Sequence, residues 1–174
     1  MASPRSGSSN WRVACDTDDY CLATAVSAAR GTFHLGRPAR ETYWEVSFTP
    51  AGPPPARDRP VIAGVDGKAL AFAAPADIAP FGRPRDFYFL GPQAQALFDR
   101  LVPGKVLTIG FTDVDGRDET MVFPLDGLAQ ALIAIDGAQH RIGSERVAAP
   151  PPYGRFRADV PGAAWMQPAL AHYR

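Results

Sequence analysis

Two Asp-Gly pairs set the terms on which this chain can fold. Asp66-Gly67 stands between the runs Val61 to Val65 and Lys68 to Ala73, and Asp115-Gly116 stands between Val106 to Asp113 and Glu119 to Leu125. Asp-Gly between alternating apolar and β-branched residues is the strongest short-range hairpin signal, because a tight two-residue turn needs the left-handed backbone that these residues tolerate. Two such hairpins commit four segments to antiparallel pairing.

Further strands follow from period-two patterning. Trp11, Val13 and Cys15 alternate with Arg12, Ala14 and Asp16, and the run Tyr20 to Ala28 follows the polar loop Asp16 to Asp19, so the two predict a hairpin. Between Thr42 and Thr49 the alternation is cleanest: Trp44, Val46 and Phe48 share one face, and Tyr43, Glu45, Ser47 and Thr49 share a face expected to be wet. The segment AGPPPARDRP, residues 51–60, carries four prolines and reads as a surface loop.

Two helices are expected. Residues 91–104 open on Gly91-Pro92, space Ala94, Leu97, Phe98 and Leu101 on one stripe, and stop at Pro103-Gly104. Asp126 is positioned to cap a second helix, whose Leu128, Ala131, Leu132 and Ile135 repeat the spacing. With most neighbouring strands joined by tight turns, parallel βαβ winding is disfavoured. The expected fold is mainly β: an antiparallel sandwich or partly closed barrel, with two short helices covering one face or end.

The 174 residues are the length of one domain. The expected organisation is a disordered lead at 1–10, a single β-rich domain at 11–149 and a Pro-rich tail at 150–174. Eighteen basic residues balance eighteen acidic ones. No global field would steer such a chain to nucleic acid, and nucleic acid is not an expected partner. The longest apolar runs, such as Ala69 to Ala76, fall well short of the roughly 20 residues a membrane-spanning helix needs. The opening MASPRSGSSN has no apolar segment and does not read as a secretory signal. Either the protein works in the cytoplasm, or Met1 and a few residues stand where a signal would be.

The opening WRVACDTDDYC resembles the tryptophan, cysteine, loop, cysteine start of the invasion-associated locus B family. The stretch from Phe87 through Ile135 is similar to that family's second half: a helix, the strand PGKVLTIGFTD, a turn, a strand and the helix PLDGLAQALIAID. The segment DGLAQALIAIDGAQHRIGSERVA is also similar to the end of a related family of uncharacterised proteobacterial periplasmic proteins. The resemblance covers residues 11–149 and consists of fold patterns rather than chemical motifs. Many locus B relatives carry further cysteines before the first helix, where this chain has FGRPRDFYFLGP, so a second disulfide is not expected. The resemblance implies a small exported β-domain, periplasmic or secreted, linked in some pathogens with entry into host cells.

Cys15 and Cys21 are the only cysteines. They flank a five-residue loop on two runs that an antiparallel pairing would bring within disulfide reach, roughly 4.4–6.8 Å between Cα atoms. Free thiols in a reducing cytosol and a zinc half-site are the other readings. Asp16, Asp18 and Asp19 read as a solvated turn in preference to a calcium loop. Asp113, Asp115 and Glu119 lack calcium-loop register, because Gly116 stands fourth where the sixth place is required. Asp136 and His140 are four apart and are expected to form a surface ion pair or a helix-end contact. His34 and His172 are expected in a loop and in the tail, both solvated. No metal and no cofactor are expected.

No nucleophile, phosphate-loop or metalloprotease motif occurs in the sequence, so no enzyme is expected. The stretch around Arg83, Arg85, Phe87 and Tyr88 interleaves basic and aromatic residues. It is a candidate partner-binding surface, with Tyr43 as a further exposed ring. A buried strand with two exposed arginines is the competing account. The expected function is therefore a non-enzymatic interaction domain acting on an envelope or host-cell partner. An accessory subunit of an envelope assembly is the alternative, and a small-molecule carrier or hydrolase comes third.

Overall fold

The computed structural model describes residues 10–39, 41, 43–72, 78–80 and 86–148. Among these residues ten strands and two helices follow in the order β1 (Trp11–Cys15), β2 (Cys21–Val26), β3 (Thr32–Arg37), β4 (Glu45–Thr49), β5 (Val61–Val65), β6 (Lys68–Phe72), β7 (Ile78–Pro80), β8 (Phe87–Phe89), α1 (Gly91–Leu101), β9 (Val106–Thr112), β10 (Asp118–Pro124) and α2 (Leu128–Ala138). They make a six-stranded sheet, β1-β2-β3-β4-β8-β7, and a four-stranded sheet, β10-β9-β5-β6. Every strand pairing is antiparallel. The two sheets do not close into a barrel, so the architecture is sandwich-like.

Alternation decides which side chains fill the space between the sheets. Phe33 and Leu35 of β3, Val46 and Phe48 of β4, Ala63 of β5, Leu107, Ile109 and Phe111 of β9, and Met121 and Phe123 of β10 all point inward and are buried. Aromatic pairs join the layers: Phe33 lies 5.8 Å from Phe123 and Phe48 lies 6.0 Å from Phe111, centroid to centroid. Each such ring contributes about 1.5–3 kcal/mol by leaving water.

The hairpin signals map onto the turns. Asp66 (φ 52°) and Gly67 (φ 77°) both take the left-handed backbone between β5 and β6. The Asp66 carboxylate accepts the Lys105 and Val106 N–H groups, tying that hairpin to the start of β9. Between β9 and β10, Gly116 carries the positive φ, and buried Asp113 accepts the N–H groups of Asp115 and Arg117 through Oδ1. A hairpin turn accounts for this acidic cluster.

Helix α1 packs on β5 and β6 and buries Leu97, Phe98 and Leu101, with Phe98 against the Trp44 ring. Helix α2 packs on β1 and β2 through Leu128, Ala131, Leu132 and Ile135. Asp126 does not cap α2: Gly127 occupies the N-cap in a left-handed conformation (φ 86°), and no side chain bonds there. The aspartate stands one residue too early.

Strand β3 was not expected from the sequence, yet it lies in the middle of the larger sheet. Its Phe33 and Leu35 alternate with Thr32 and His34 between Gly31 and Pro38. Its central place also changes the character of β4. The outer face of β4 is not the wet side expected: Ser47 is only 3% exposed, and Glu45 and Thr49 are half-buried.

Candidate functional site

Strands β2, β3, β4 and β8 turn their alternate residues to the outer face of the larger sheet. Register places Thr24, His34, Ser47 and Tyr88 in one row across that face, with Thr32 and Thr49 in the next. His34 is therefore a half-buried strand residue and not a loop histidine. Its Nδ1 lies 3.1 Å from Thr24 Oγ1, and its Nε2 lies 2.8 Å from Thr32 Oγ1 and 3.2 Å from Thr49 Oγ1.

Thr49 donates its single hydroxyl hydrogen to Asp86 Oδ1 at 2.6 Å, so towards the ring it can only accept. Asp86 thus reaches the imidazole through Thr49. The Thr24 hydroxyl can donate to Nδ1 or accept from it, according to the tautomer. The cradle fixes the imidazole in either charge state.

One row along, Tyr20 lies across Gly36, where a Cβ would stand 2.1 Å from the tyrosine oxygen. Its hydroxyl donates to Glu45 Oε2 at 2.7 Å. Burial pushes the Tyr20 hydroxyl far above its ordinary value, and the facing carboxylate of Glu45 adds to the shift. Burial likewise raises Glu45, partly offset by the hydrogen bond from Tyr20.

A third cluster lies at the end of the sandwich beneath α2. Asp136 is buried between Arg37, which pairs with Oδ1, and Arg146, 3.0 Å from Oδ2. Arg37 also donates to Ser144 Oγ at 2.8 Å and stands 5.0 Å from the centroid of the Trp44 ring. Nearby, Arg141 donates to the carbonyls of Ala39 and Glu41. These contacts pin the segment after α2 to the β3–β4 connection. Asp136 is therefore no surface partner of His140, which is exposed and takes a positive φ of 55° past the helix end. The signal for this cluster was present in the sequence: Asp136 continues the apolar stripe four residues after Leu132, a place where a carboxylate requires a buried cation.

The sequence-derived surface is redistributed. Phe87 is buried and stacks on Phe48 at 5.5 Å, because β8 turns its odd residues into the core. Tyr43 is also buried, drawn in by a bridge to Val147, so neither ring belongs to an exposed patch. Tyr88 alone of these rings reaches the outer face, half-buried in the row of His34. Arg83 and Arg85 lie outside the described residues, as do His172 and the tail beyond Ala148.

Cys15 and Cys21 face each other across the β1–β2 hairpin and are joined as a disulfide. In the loop between them, Asp16 Oδ1 accepts the N–H groups of Asp18 and Tyr20, each at 2.9 Å, which accounts for it as a turn residue. Among the described residues no group of three His, Cys, Asp or Glu side chains converges as a metal site. No helix of the described residues is long and apolar enough to cross a membrane.

No protein-family model matches the sequence, and no curated protein matches it. Among solved structures, the chain is similar to the crystal structure of invasion associated protein B from Bartonella henselae. The superposition covers 78% of this chain and 97% of that one, with 14% identity and a TM-score of 0.54. The likeness is one of fold. It agrees with the architecture that the resemblance implied, and at this identity it speaks to architecture alone.

Proposed function

We propose that this chain is an exported, non-enzymatic interaction domain, periplasmic or secreted, that meets an envelope or host-cell partner through its surface. The observation that carries the reading is the Cys15–Cys21 disulfide, because such a bridge persists in oxidising compartments and is rare in the cytosol. The shared fold with a protein named for invasion supports the same direction. So does the use of the reactive groups: Asp136 is held between two arginines, and His34 is fixed by three threonine hydroxyls. In the row across the outer face, half-buried Thr24, His34 and Tyr88 keep part of a hydroxyl, an imidazole and a ring at the surface, the mix of polar groups and contact area that recognition surfaces use, while Ser47 is buried.

The test is the redox state and location of the natural gene product in its own cell. Mass after thiol alkylation, with and without reduction, should show Cys15 and Cys21 unreactive until reduced, in material recovered outside the cytoplasm. Two freely alkylated thiols in a cytoplasmic fraction would overturn the reading.

A further inference from the structure

We infer that the arginine cluster beneath α2 binds a small monovalent anion of the halide class, which accepts the N–H groups of Arg37 Nε and Trp44 Nε1. The inference concerns a site that the function proposed above does not use, so either can fail without the other.

Two buried donors in this cluster lack acceptors. Arg37 gives Nη1 to Asp136 and Nη2 to Ser144 Oγ, but its Nε–H has no hydrogen-bond partner among the described residues. The Nε1–H of Trp44 has none either. Neither side chain meets bulk water, since Arg37 is 1% and Trp44 0% exposed. The two form one stacked pair, because the guanidinium carbon of Arg37 lies over the Trp44 ring, 5.0 Å from its centroid. A buried donor left unmatched is costly, and in native proteins it marks a bound water, a bound ion or a functional role.

Charge separates an ion from a water. Three guanidiniums gather here, those of Arg37, Arg141 and Arg146, and among the described residues Asp136 is the carboxylate that pairs with any of them. Arg141 is held by the carbonyls of Ala39 and Glu41, which carry no net charge. Glu145 belongs to the same segment but is exposed to solvent. The imbalance is felt at Arg37: burial lowers its pKa, Asp136 raises it, and Arg141 and Arg146 lower it again. One carboxylate does not neutralise three cations, and a buried excess of charge calls for a counterion.

The unmatched groups on the stacked pair are both donors, and one of them is charged. An anion accepts from both through charge-assisted bonds and supplies the missing charge at once. A water bridging these donors to Gln139 Oε1, a buried acceptor that also lacks a partner, is the rival occupant, and it leaves the excess charge in place. A phosphate or sulfate has four oxygens to satisfy and would find two buried donors too few. A spherical ion has no such demand. Its way in lies past Ser144, which is exposed, and Arg146, whose side chain is 28% exposed.

The test is urea unfolding of the full oxidised chain at one pH, in sodium chloride and in sodium gluconate of equal ionic strength. Gluconate is too large for a buried site, so the difference between the salts reads binding and not screening. Chloride at about ten times its dissociation constant should lower the unfolding constant about tenfold relative to gluconate, by mass action. Trp44→Phe keeps the ring and deletes the donor, and it should remove most of that difference. Should Trp44→Phe fail to fold, Arg146→Gln decides by the same criterion, because it takes one cation from the rim of the site. Equal stability of the parent chain in the two salts overturns the inference in favour of the water. A chloride effect that the folded variant retains in full overturns it too, since the ion then binds elsewhere.

Discussion

Arg37 and Asp136 stand ninety-nine positions apart in the sequence and meet as a buried ion pair under α2. The pair closes the contact between the end of β3 and the end of the last helix, and Arg146 and Trp44 complete its surroundings. A buried charge without its partner is far costlier than the pair is favourable. Asp136→Ala should therefore lower unfolding stability by about 3–5 kcal/mol. The double change Arg37→Met with Asp136→Leu, which removes both charges, should cost clearly less than the single one. Urea unfolding of the three chains checks the order; a double variant weaker than Asp136→Ala would show that packing, not charge, governs the site.

Much of this architecture was legible in the sequence because it is written in local rules. The Asp-Gly turns, the alternation in β4, β5 and β9, and the i, i+3, i+4 stripes of α1 and α2 each depend on residues a few positions apart. What escaped depends on distant partners. β3 is bracketed by Gly31 and Pro38 and has a histidine and an arginine in its pattern, and only distant partners make them acceptable in a central strand: threonines of β2 and β4 for His34, and Asp136 of α2 for Arg37. Tyr43 and Phe87 read as surface rings until Val147 and Phe48 cover them. The disulfide was open in the sequence to three readings and is resolved by the register that sets Cys15 opposite Cys21.

Glu45 makes stability depend on pH. Burial raises its pKa above the ordinary 4.5, so the folded chain keeps this proton to a higher pH than the unfolded chain. The stability linked to it is complete below pH 4.5 and is lost as pH rises from there through the folded value. Glu45→Gln keeps an oxygen for Tyr20 to donate to and removes the titration. Its unfolding stability should stay flat over that window while the parent chain's falls. Tyr20→Phe deletes the hydrogen bond that holds the pKa down and should widen the parent's fall. Equal pH slopes in parent and Glu45→Gln would refute the assignment.

Gly36 makes room for that pair. A Cβ at residue 36 would collide with the Tyr20 oxygen and approach Glu45 Oε2 at 3.0 Å, so Gly36→Ala must displace the ring. Overpacking of this kind costs about 1–3 kcal/mol. In a Tyr20→Ala background the obstruction is gone, and the added methyl should cost much less. A thermal-melt cycle over the four chains measures the difference, and additive effects would mean that ring and glycine do not meet.

The two cysteines differ in access. Cys21 is buried and Cys15 is exposed on β1, the end strand of the larger sheet among the described residues. A reductant attacks whichever sulfur it can reach, so reduction should proceed on the folded chain by attack at Cys15, without global unfolding. Once reduced, Cys15 should alkylate quickly and Cys21 slowly under native conditions, with the two rates converging in denaturant. Closing this short loop is worth about 2–3 kcal/mol of unfolding stability, so the reduced chain should unfold at lower urea while keeping its strand content. Peptide mass mapping of a timed alkylation gives both rates. Equal native rates would mean that the β1–β2 hairpin opens on reduction, and that the bridge holds the edge strand in place as well as restricting the unfolded chain.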